Sequence, residues 1–334
     1  MNFKNMNESA VSPIVATLVL IVVAVVGAVA VGTIMGAFSS DVSEQVNPGD
    51  VAGASASEIL IAGSTTVQPA SELLAKAYMN QHSGVKITVQ AGGSDAGIAG
   101  VGMGICDIGS ASKDVSSAYL EEYPNLNIYQ IGGSGVVFIH NDAGTLTGIT
   151  GATAEGLKKL YDAANPQGYV AYTSDVNQII DAADTFAAGT GAVTDVRVYQ
   201  RAEGSGTEEA VDKYIDVKGY MDTTTAAGAQ GNNGLFQAVS GSTNPALGFV
   251  DWAFADSTVV KLNLDPYTTT EVNIKNALMG QDTYPADLAR PLNYIVNGNP
   301  SAVVKNYIEF AQSPAGAELV KDAGFFPLLD LKKL

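Results

Sequence analysis

Cysteine, histidine and arginine are scarce in this sequence, and each scarcity excludes a class of site. Cys106 is the only cysteine among 334 residues, so the chain cannot form an internal disulfide. The two histidines, His82 and His140, are far apart in the sequence, and with a single cysteine they form no zinc-binding pattern. Positive charge is also in short supply: 17 Lys and Arg against 34 Asp and Glu give a net charge of −17, which argues against nucleic acid and anionic membrane surfaces as partners.

Glycine, by contrast, is abundant, with 36 residues in a chain that is 46% hydrophobic. This composition is typical of an α/β protein with many tight turns, and the length allows two or three domains. Arginine occurs three times, at Arg197, Arg201 and Arg290, so a site for an anion has to be built locally in this acidic chain.

A long uncharged run occupies residues 14–38. It is long enough to cross a bilayer, which takes about 20 residues in a helix. A cleaved secretory signal is the alternative, but its apolar region is normally about 7–15 residues long. Because Lys4 precedes the run and Asp41 and Glu44 follow it, we predict a membrane anchor with the rest of the chain outside the cell.

The segment from Glu8 to Thr17, which contains the run Ala-Val-Ser-Pro, resembles the start of archaeal type IV pilin-like proteins. The resemblance implies a leader over residues 1–10 and a membrane or filament helix over residues 11–40. It also implies an archaeal cell-surface protein whose helix is inserted in lipid or packs with other pilin-like subunits. Residues 41–57, rich in Ser, Ala, Gly and Asp, are predicted to be a flexible linker.

The stretch from Arg201 to Thr207 joins an arginine to a Gly-Ser-Gly-Thr turn. Alternating residues before it predict a strand, and apolar residues at helical spacing after it predict a helix. The free amides at a helix N-terminus attract anions, and the arginine fork suits oxyanions. The stretch therefore predicts an anion site, although an ordinary helix cap, with Arg201 paired to Glu203 on the surface, is the alternative.

Similar loops follow other predicted strands. Gly63–Pro69 and Gly92–Ile98 each lie between a strand and a helix, and Asp107–Lys113 ends a short strand in a serine-rich loop. Because ligands of open α/β sheets bind beyond the carboxyl ends of the strands, we expect these loops to converge. The sequence contains neither G-x-G-x-x-G after the first strand nor a P-loop, which argues against a nucleotide.

In this order the motifs resemble the phosphate-binding proteins of phosphate ABC transporters, over about residues 58–330. Pro245–Val250, Tyr284-Pro285 and Arg290-Pro291 resemble later motifs of that family. The resemblance implies an α/β, two-lobe, periplasmic-binding-protein-like fold of type II that closes over its ligand.

The two lobes implied are lobe 1, residues 58–140 and 247–334, and lobe 2, residues 141–246. We predict that the chain crosses between them in residues 128–141; the alternative is that the glycines there mark a bulge. The glycine- and asparagine-rich stretch 226–234 lies where the resemblance implies backbone contacts to the ligand; a plain loop is the alternative, and we prefer it.

The resemblance also implies the site. Well-studied members have an aspartate at the position of Ser112, where it accepts a hydrogen bond from protonated phosphate; here Asp95 is the candidate for that role. Glu203 is implied to orient the arginine. The ligand-binding residues implied are Thr65, Thr66, Ser94, Asp95, Ser112, Arg201, Ser205, Gly206 and Thr207.

Two functions are compatible with these patterns. The first is a membrane-anchored extracellular protein that delivers phosphate, or another anion such as sulfate or molybdate, to the permease of an ABC importer. The second is a structural pilin-like subunit that carries a binding domain. We do not expect an enzyme, a cofactor or a metal, because the sequence shows no G-x-S-x-G motif and no recognisable partner for either histidine.

Overall fold

The structure, a computed structural model, describes residues 57–161, 169–172, 193–201, 205–216 and 228–332. The predicted leader, the predicted hydrophobic helix and almost all of the predicted linker lie outside these residues. Within the described ranges, no helix has both the length and the apolar character needed to cross a bilayer. The N-terminal transmembrane and pilin-like segment therefore stays a prediction.

Fourteen strands lie in the described part of the chain. They are β1 (Ser57–Gly63), β2 (Val85–Ala91), β3 (Ile108–Ala111), β4 (Leu126–His140), β5 (Gly151–Ala152), β6 (Tyr169–Tyr172), β7 (Val193–Val198), β8 (Gln200–Arg201), β9 (Gly228–Ala229), β10 (Ala246–Asp251), β11 (Val260–Lys261), β12 (Asn263–Leu264), β13 (Ala289–Asn297) and β14 (Phe326–Pro327). Ten of them form one mixed sheet with the order β2-β1-β3-β13-β4-β10-β7-β6, in which β11 and β14 also pair with β4. The pairs β12-β5 and β8-β9 form two small sheets.

The α-helices of the same residues connect and cover these strands. They are α1 (Gln68–Gln81), α2 (Ser94–Gly102), α3 (Ser117–Glu122), α4 (Ala154–Tyr161), α5 (Gly206–Tyr214), α6 (Gly231–Ser240), α7 (Glu271–Leu278), α8 (Ala302–Ala311), α9 (Pro314–Asp322) and α10 (Leu328–Leu331). Serine side chains cap several of them, because a serine oxygen accepts from a free amide of the first turn, as Ser301 does from the Val304 amide.

The first three strands and their helices alternate as the sequence pattern predicts. β1 pairs in parallel with β2 on one side and with β3 on the other. Parallel neighbours need a crossover, and α1 and α2 supply the two crossovers. The carboxyl ends of all three strands, with the loops that follow them, therefore lie on one edge of the sheet.

Strand β4 runs through both halves of the large sheet. Its first part pairs antiparallel with β13, and its last five residues, 136–140, pair antiparallel with β10. The register with β13 shifts opposite Leu292 and Asn293, where β4 has Ile131 as an extra residue. This irregularity fits the bulge interpretation of the glycine-rich stretch, whereas a hinge at this place stays a prediction.

Two main hydrophobic cores lie on different parts of this sheet. The first contains buried residues of β1, α1, β3, β13 and α8, and the second contains buried residues of β4, α4, α5, α6 and β10. Leu74 and Tyr307 are wholly buried in the first core, and Phe138 and Phe249 are wholly buried in the second. This two-core arrangement gives the two-lobe α/β fold.

We propose that the lobes divide where the cores do. Buried residues of the first core extend to Ile131 and resume at Leu292, and those of the second run from Val136 to Leu288 with one exception near the C-terminus. The residues of the second core therefore span more of the sequence than the predicted lobe 2, residues 141–246. The end of β4, the strands after β10 and helix α7 also pack into this core. We therefore define lobe 2 as residues 136–288 and lobe 1 as the rest of the described chain.

Candidate functional site

Three serines meet where β1, β2 and β3 end. Ser64 follows β1, Ser94 begins α2 after β2, and Ser112 follows β3, and all three are buried. The Ser64 hydroxyl lies 3.0 Å from Ser112 Oγ, and Ser94 Oγ accepts from the Ser112 amide at 3.1 Å. The loops therefore converge at one edge of the sheet. We call Ser64, Ser94 and Ser112 the serine cluster.

A glycine makes the first of these turns possible. Gly63 has a φ of +139°, which side chains rarely tolerate, and a Cβ placed on it would lie 2.2 Å from the Ser110 carbonyl oxygen. The absence of a side chain at Gly63 therefore allows β1 to end against β3 and places Ser64 beside Ser112.

Arg201 crosses from lobe 2 to lobe 1. It ends β8 and is 1% exposed. Its Nη2 donates to Thr65 Oγ1 at 2.7 Å, and its Nη1 donates to Asn232 Oδ1 at 3.2 Å. A buried guanidinium is costly unless polar groups surround it, so these partners fix the fork at the boundary between the lobes.

A second arginine reaches the same place from lobe 1. Arg290, on β13, is 3% exposed, and its Nη1 donates to the Ser112 carbonyl at 2.9 Å and to the Ser112 hydroxyl at 3.2 Å. Its Nη2 donates to Thr207 of lobe 2 at 3.3 Å and to Asp251 at 2.8 Å. Burial lowers the pKa of Arg290, Asp251 opposes that shift, and the charge of Arg201 adds to it. The guanidinium groups of Arg201 and Arg290 therefore lie close enough for the charge of one to lower the pKa of the other.

Asp251 anchors Arg290 from the end of β10. The carboxylate is fully buried, and it accepts hydrogen bonds from the Ser134 hydroxyl and the Arg290 guanidinium. Burial raises the pKa of Asp251, and the positive charge of Arg290 opposes that rise. The amide of Asp251 donates to Asn232 Oδ1 at 3.0 Å, which links this pair to the contacts of Arg201.

Two threonines face each other across the lobes. The hydroxyl oxygens of Thr66 in lobe 1 and Thr207 in lobe 2 lie 3.2 Å apart, and both residues are 1% exposed. Asn232 Nδ2 donates to the Thr66 hydroxyl at 2.9 Å. Asn232 belongs to α6, so the stretch interpreted from the sequence as a plain loop contains a side chain that contacts both Thr66 and Arg201.

The start of α5 supplies lobe 2 backbone to the same region. Ser205 caps the helix, its hydroxyl oxygen accepting from the Glu208 amide at 3.0 Å, as the helix-cap interpretation predicts. Gly206 is pressed against the serine cluster: a Cβ there would lie 2.8 Å from the Ser112 carbonyl oxygen and 3.0 Å from Ser94 Oγ. The stretch is thus both a helix cap and a contact with the other lobe.

Asp95 takes part in a separate ion-pair network. Its Oδ1 accepts from Lys113 Nζ at 2.7 Å and from the Tyr119 hydroxyl at 2.9 Å. Lys113 also donates to Glu209 on α5, so it joins the two lobes. Burial opposes the shift, but Asp95 and Glu209 together raise the pKa of Lys113. Whereas Ser94 is 1% exposed, the Asp95 side chain is 30% exposed and points to this network.

The structure thus brings most of the expected residues together and adds others. Glu203 lies outside the described residues, Ser205 uses its hydroxyl as a cap, and Asp95 contacts Lys113. Arg290 was visible from the sequence as one of three arginines, but nothing local marked it as part of a site. The expected residues that lie in or directly against the network of the two arginines and the serine cluster are Thr65, Thr66, Ser94, Ser112, Arg201, Gly206 and Thr207; those missed are Ser64, Ser134, Asn232, Asp251 and Arg290.

The chemistry available is that of binding. Hydroxyl, amide and guanidinium donors gather at the boundary of the lobes, which suits an oxyanion. Across the ranges described, no group of His, Cys, Asp and Glu is placed to hold a metal ion. His140 is buried, with Nε2 2.8 Å from the Ile149 carbonyl oxygen. Cys106 is buried, and burial raises the pKa of its thiol to about 12.

Solved structures of other proteins share this fold. A putative phosphate ABC transporter substrate-binding protein with bound phosphate from Clostridium perfringens is 22% identical, with a TM-score of 0.66, over 81% of this chain and 99% of that one. An ABC-type phosphate transport receptor from Vibrio cholerae is 22% identical, with a TM-score of 0.61, over 80% and 99%. A possible phosphate binding protein from Planctomyces limnophilus is 21% identical, with a TM-score of 0.54, over 83% and 94%.

The sequence itself matches the family model of the PBP superfamily domain over residues 49–315. That match covers most of the chain and includes all of lobe 2, most of lobe 1 and every residue of the site described above. The chain belongs to the PBP superfamily.

Proposed function

We propose that this chain is a solute-binding protein that captures a tetrahedral oxyanion, in the first place phosphate, between its two lobes. The observation that carries the proposal is the pair of buried arginines. Arg201 of lobe 2 donates to Thr65 of lobe 1, and Arg290 of lobe 1 donates to Thr207 of lobe 2. Each guanidinium therefore stabilises the joined form of the lobes, and both supply charge-assisted hydrogen bonds to an anion held there.

The neutral groups around the arginines support the same ligand. Thr66 and Thr207 place their hydroxyls 3.2 Å apart, and the first turn of α5 begins at Gly206 against the serine cluster. An oxyanion entering this region exchanges such hydroxyl–hydroxyl contacts for hydroxyl–anion contacts, which are stronger because one partner is charged. Closure of the lobes then completes the set of donors.

The similar structures support phosphate and transport as parts of this proposal. The Clostridium perfringens protein is described with bound phosphate, and the Vibrio cholerae protein as a phosphate transport receptor. We transfer phosphate as the ligand, and the permease of an ABC importer as the partner, as part of the proposal. We assign no catalytic step, because the carboxylate of Asp251 already accepts from Ser134 and Arg290 and the other described groups of the site are hydroxyls, amides and guanidinium groups.

For location, we propose that the two lobes lie outside the cell and that the uncharged run of residues 14–38 holds them to the membrane. Fractionation of cells that express the full chain, or a chain without residues 1–40, tests this part. We expect the full chain in the membrane fraction and the shortened chain in the soluble fraction; equal distribution contradicts the anchor.

Calorimetric titration of the full-length chain with inorganic phosphate tests the binding function. We expect saturable binding of one phosphate per chain with a dissociation constant of about 1 µM or tighter, equivalent to about −8 kcal/mol. Nitrate, a planar anion, is the control and should give no heat at the same concentration. Absence of phosphate binding at millimolar concentration contradicts the proposal.

A further inference from the structure

Asn232 makes three hydrogen bonds from a fully buried position near the start of α6. Its Oδ1 accepts from Arg201 Nη1 at 3.2 Å and from the Asp251 amide at 3.0 Å, and its Nδ2 donates to the Thr66 hydroxyl at 2.9 Å. All three partners belong to other elements: strand β8, strand β10 and the turn after β1. The side chain therefore connects parts of the site rather than capping its own helix.

The partners fix which way the Asn232 amide points. A guanidinium and a backbone amide only donate, so both require the oxygen of the side chain. The opposite orientation would place the N–H donors of Asn232 against the donors of Arg201 and Asp251, and unpaired buried donors are costly. The Nδ2 group therefore faces Thr66, and the Thr66 hydroxyl oxygen is the acceptor in that contact.

The direction of this bond decides where the Thr66 proton can go. Because the Thr66 oxygen accepts from Asn232, its own proton is left for a partner other than Asn232. Thr207, whose Oγ1 lies 3.2 Å from that of Thr66, is in the same situation, since its oxygen accepts from Arg290 Nη2 at 3.3 Å. Each threonine thus accepts from a fixed donor and keeps a proton for the other threonine or for an anion.

We propose that Asn232 is a positioning residue of the anion site, which holds the Arg201 guanidinium in place and makes the Thr66 hydroxyl a donor toward the ligand. This inference rests on the proposed oxyanion-binding function. Asn232 acts through these two neighbours, one in each lobe, and needs no contact with the anion. The role requires an oxygen for two donors and an N–H group for Thr66. Asparagine offers both groups, whereas aspartate offers oxygens alone.

Asn232→Asp tests this role at almost unchanged volume. Its carboxylate keeps an oxygen for Arg201 and for the Asp251 amide but accepts from the Thr66 hydroxyl, which then loses the proton proposed for the anion. We expect the dissociation constant of inorganic phosphate, measured by calorimetry on the full-length chain, to rise about 100-fold or more. Asn233→Ala is the matched control, because Asn233 is the next residue of α6 and is exposed. Its dissociation constant should stay within about twofold of that of the unchanged chain.

A second comparison separates positioning from the added negative charge. The Thr66→Val chain has no hydroxyl to orient, so the rise caused by Asn232→Asp should be at least about fivefold smaller there than in the chain that keeps Thr66. A charge effect or a structural fault at position 232 would cost the same in both chains. Denaturant unfolding confirms that each variant folds. If Asn232→Asp does not fold, Asn232→Ala, which removes the donor to Thr66 without adding charge, is compared in the same two chains with the same expectation.

The outcomes separate the two proposals. An equal loss of affinity in the two chains, or an unchanged dissociation constant in a folded Asn232→Asp chain, overturns the positioning role while the oxyanion-binding function stands. Failure of the unchanged chain to bind phosphate at millimolar concentration overturns both.

Discussion

Arg201 and Thr65 belong to different lobes, are 136 positions apart in the chain, and meet in a hydrogen bond of 2.7 Å. A buried arginine that reaches across a domain boundary holds the two sides in a defined arrangement, because its buried guanidinium N–H groups need hydrogen-bond acceptors on both sides. The Arg201 guanidinium, which makes this contact between the lobes, is thus the same group that we propose binds the anion. On this proposal, anion binding and closure of the lobes are coupled through Arg201.

The close approach of α5 to the serine cluster gives the first prediction. Gly206→Ala places a methyl group within 2.8 Å of the Ser112 carbonyl oxygen, which belongs to the other lobe. The overlap costs about 1–3 kcal/mol and acts on the closed form. We therefore expect phosphate affinity to fall about 10–100-fold in calorimetry.

Gly234→Ala is the matched control, since Gly234 also lies in the first half of a helix that contributes to the site. A Cβ at Gly234 has ordinary contacts of 3.8 Å or more. The phosphate affinity of Gly234→Ala should stay within about twofold of that of the unchanged chain. Alanine in place of glycine stabilises the helix by up to about 1 kcal/mol. Equal affinities of the two variants would show that the approach of Gly206 does not matter for binding.

The ion pair of Arg290 and Asp251 gives the second prediction, on stability. Both side chains are almost fully buried, 4% and 0% exposed. Arg290→Met leaves a buried carboxylate without its cation and should lower the free energy of unfolding by about 3–5 kcal/mol. In denaturant unfolding, Arg290→Met combined with Asp251→Asn should cost less than the sum of the single changes. Strict additivity would mean that the two side chains are not coupled.

Lys113 gives the third prediction, on the rate of ligand release. It bridges Asp95 and Glu209, and its side chain is 11% exposed whereas that of Glu209 is 35% exposed. Lys113→Met removes this link between the lobes; with allowance for solvent screening, we expect phosphate to dissociate about 3–10 times faster in stopped-flow measurements.

Lys158→Met is the control for Lys113, because Lys158 pairs with Asp216 inside lobe 2 at 2.9 Å. The Lys158→Met variant should release phosphate at the same rate as the unchanged chain. If both lysine variants release phosphate at the unchanged rate, the bridge has no part in closure.

Asp212 on α5 gives the fourth prediction, a dependence of stability on pH. Burial raises its pKa from 3.8 to about 6, and the charge of Glu209 adds to the rise. Its Oδ1 has no hydrogen-bond partner in the described part of the chain. The folded state thus keeps this proton to higher pH than the unfolded state, so the free energy of unfolding falls between about pH 4 and pH 6.

Asp212→Asn removes that titration. With allowance for partial exposure, the variant should be about 1 kcal/mol more stable than the unchanged chain at pH 7 and equal to it at pH 4. Denaturant curves at several pH values measure this difference. A constant offset across the range would assign the effect to something other than the proton.

Local sequence patterns predicted the parts of the site that are built locally. A strand, a Gly/Ser/Thr turn and a helix follow one another at β1–α1 and at β2–α2, because the turn residues and the apolar periodicity both lie within a short window. The same holds for the cap at Ser205, where side chain and amide are three residues apart. Parallel pairing of the strands then brings the loops together.

Residues joined by long-range contacts could not be found in this way. Arg290 meets Ser112 across 178 positions, and Asn232 meets Thr66 across 166. No spacing in the sequence encodes such encounters, since they arise only when the strands have taken their order in the sheet. The wider extent that we propose for lobe 2 could not be predicted from the sequence for the same reason, because α7 packs into a core that its own sequence does not reveal.

The measurement that tests the account most directly, and its fifth prediction, compares phosphate affinity in Arg201→Ala and Arg197→Ala. Arg197 lies four positions earlier and contacts the ring and hydroxyl of Tyr199. Loss of the Arg201 guanidinium removes charge-assisted hydrogen bonds and should weaken phosphate binding at least about 100-fold. Arg197→Ala should leave the dissociation constant within about twofold. Unchanged binding in a folded Arg201→Ala chain would contradict the assignment of the anion to the boundary of the two lobes.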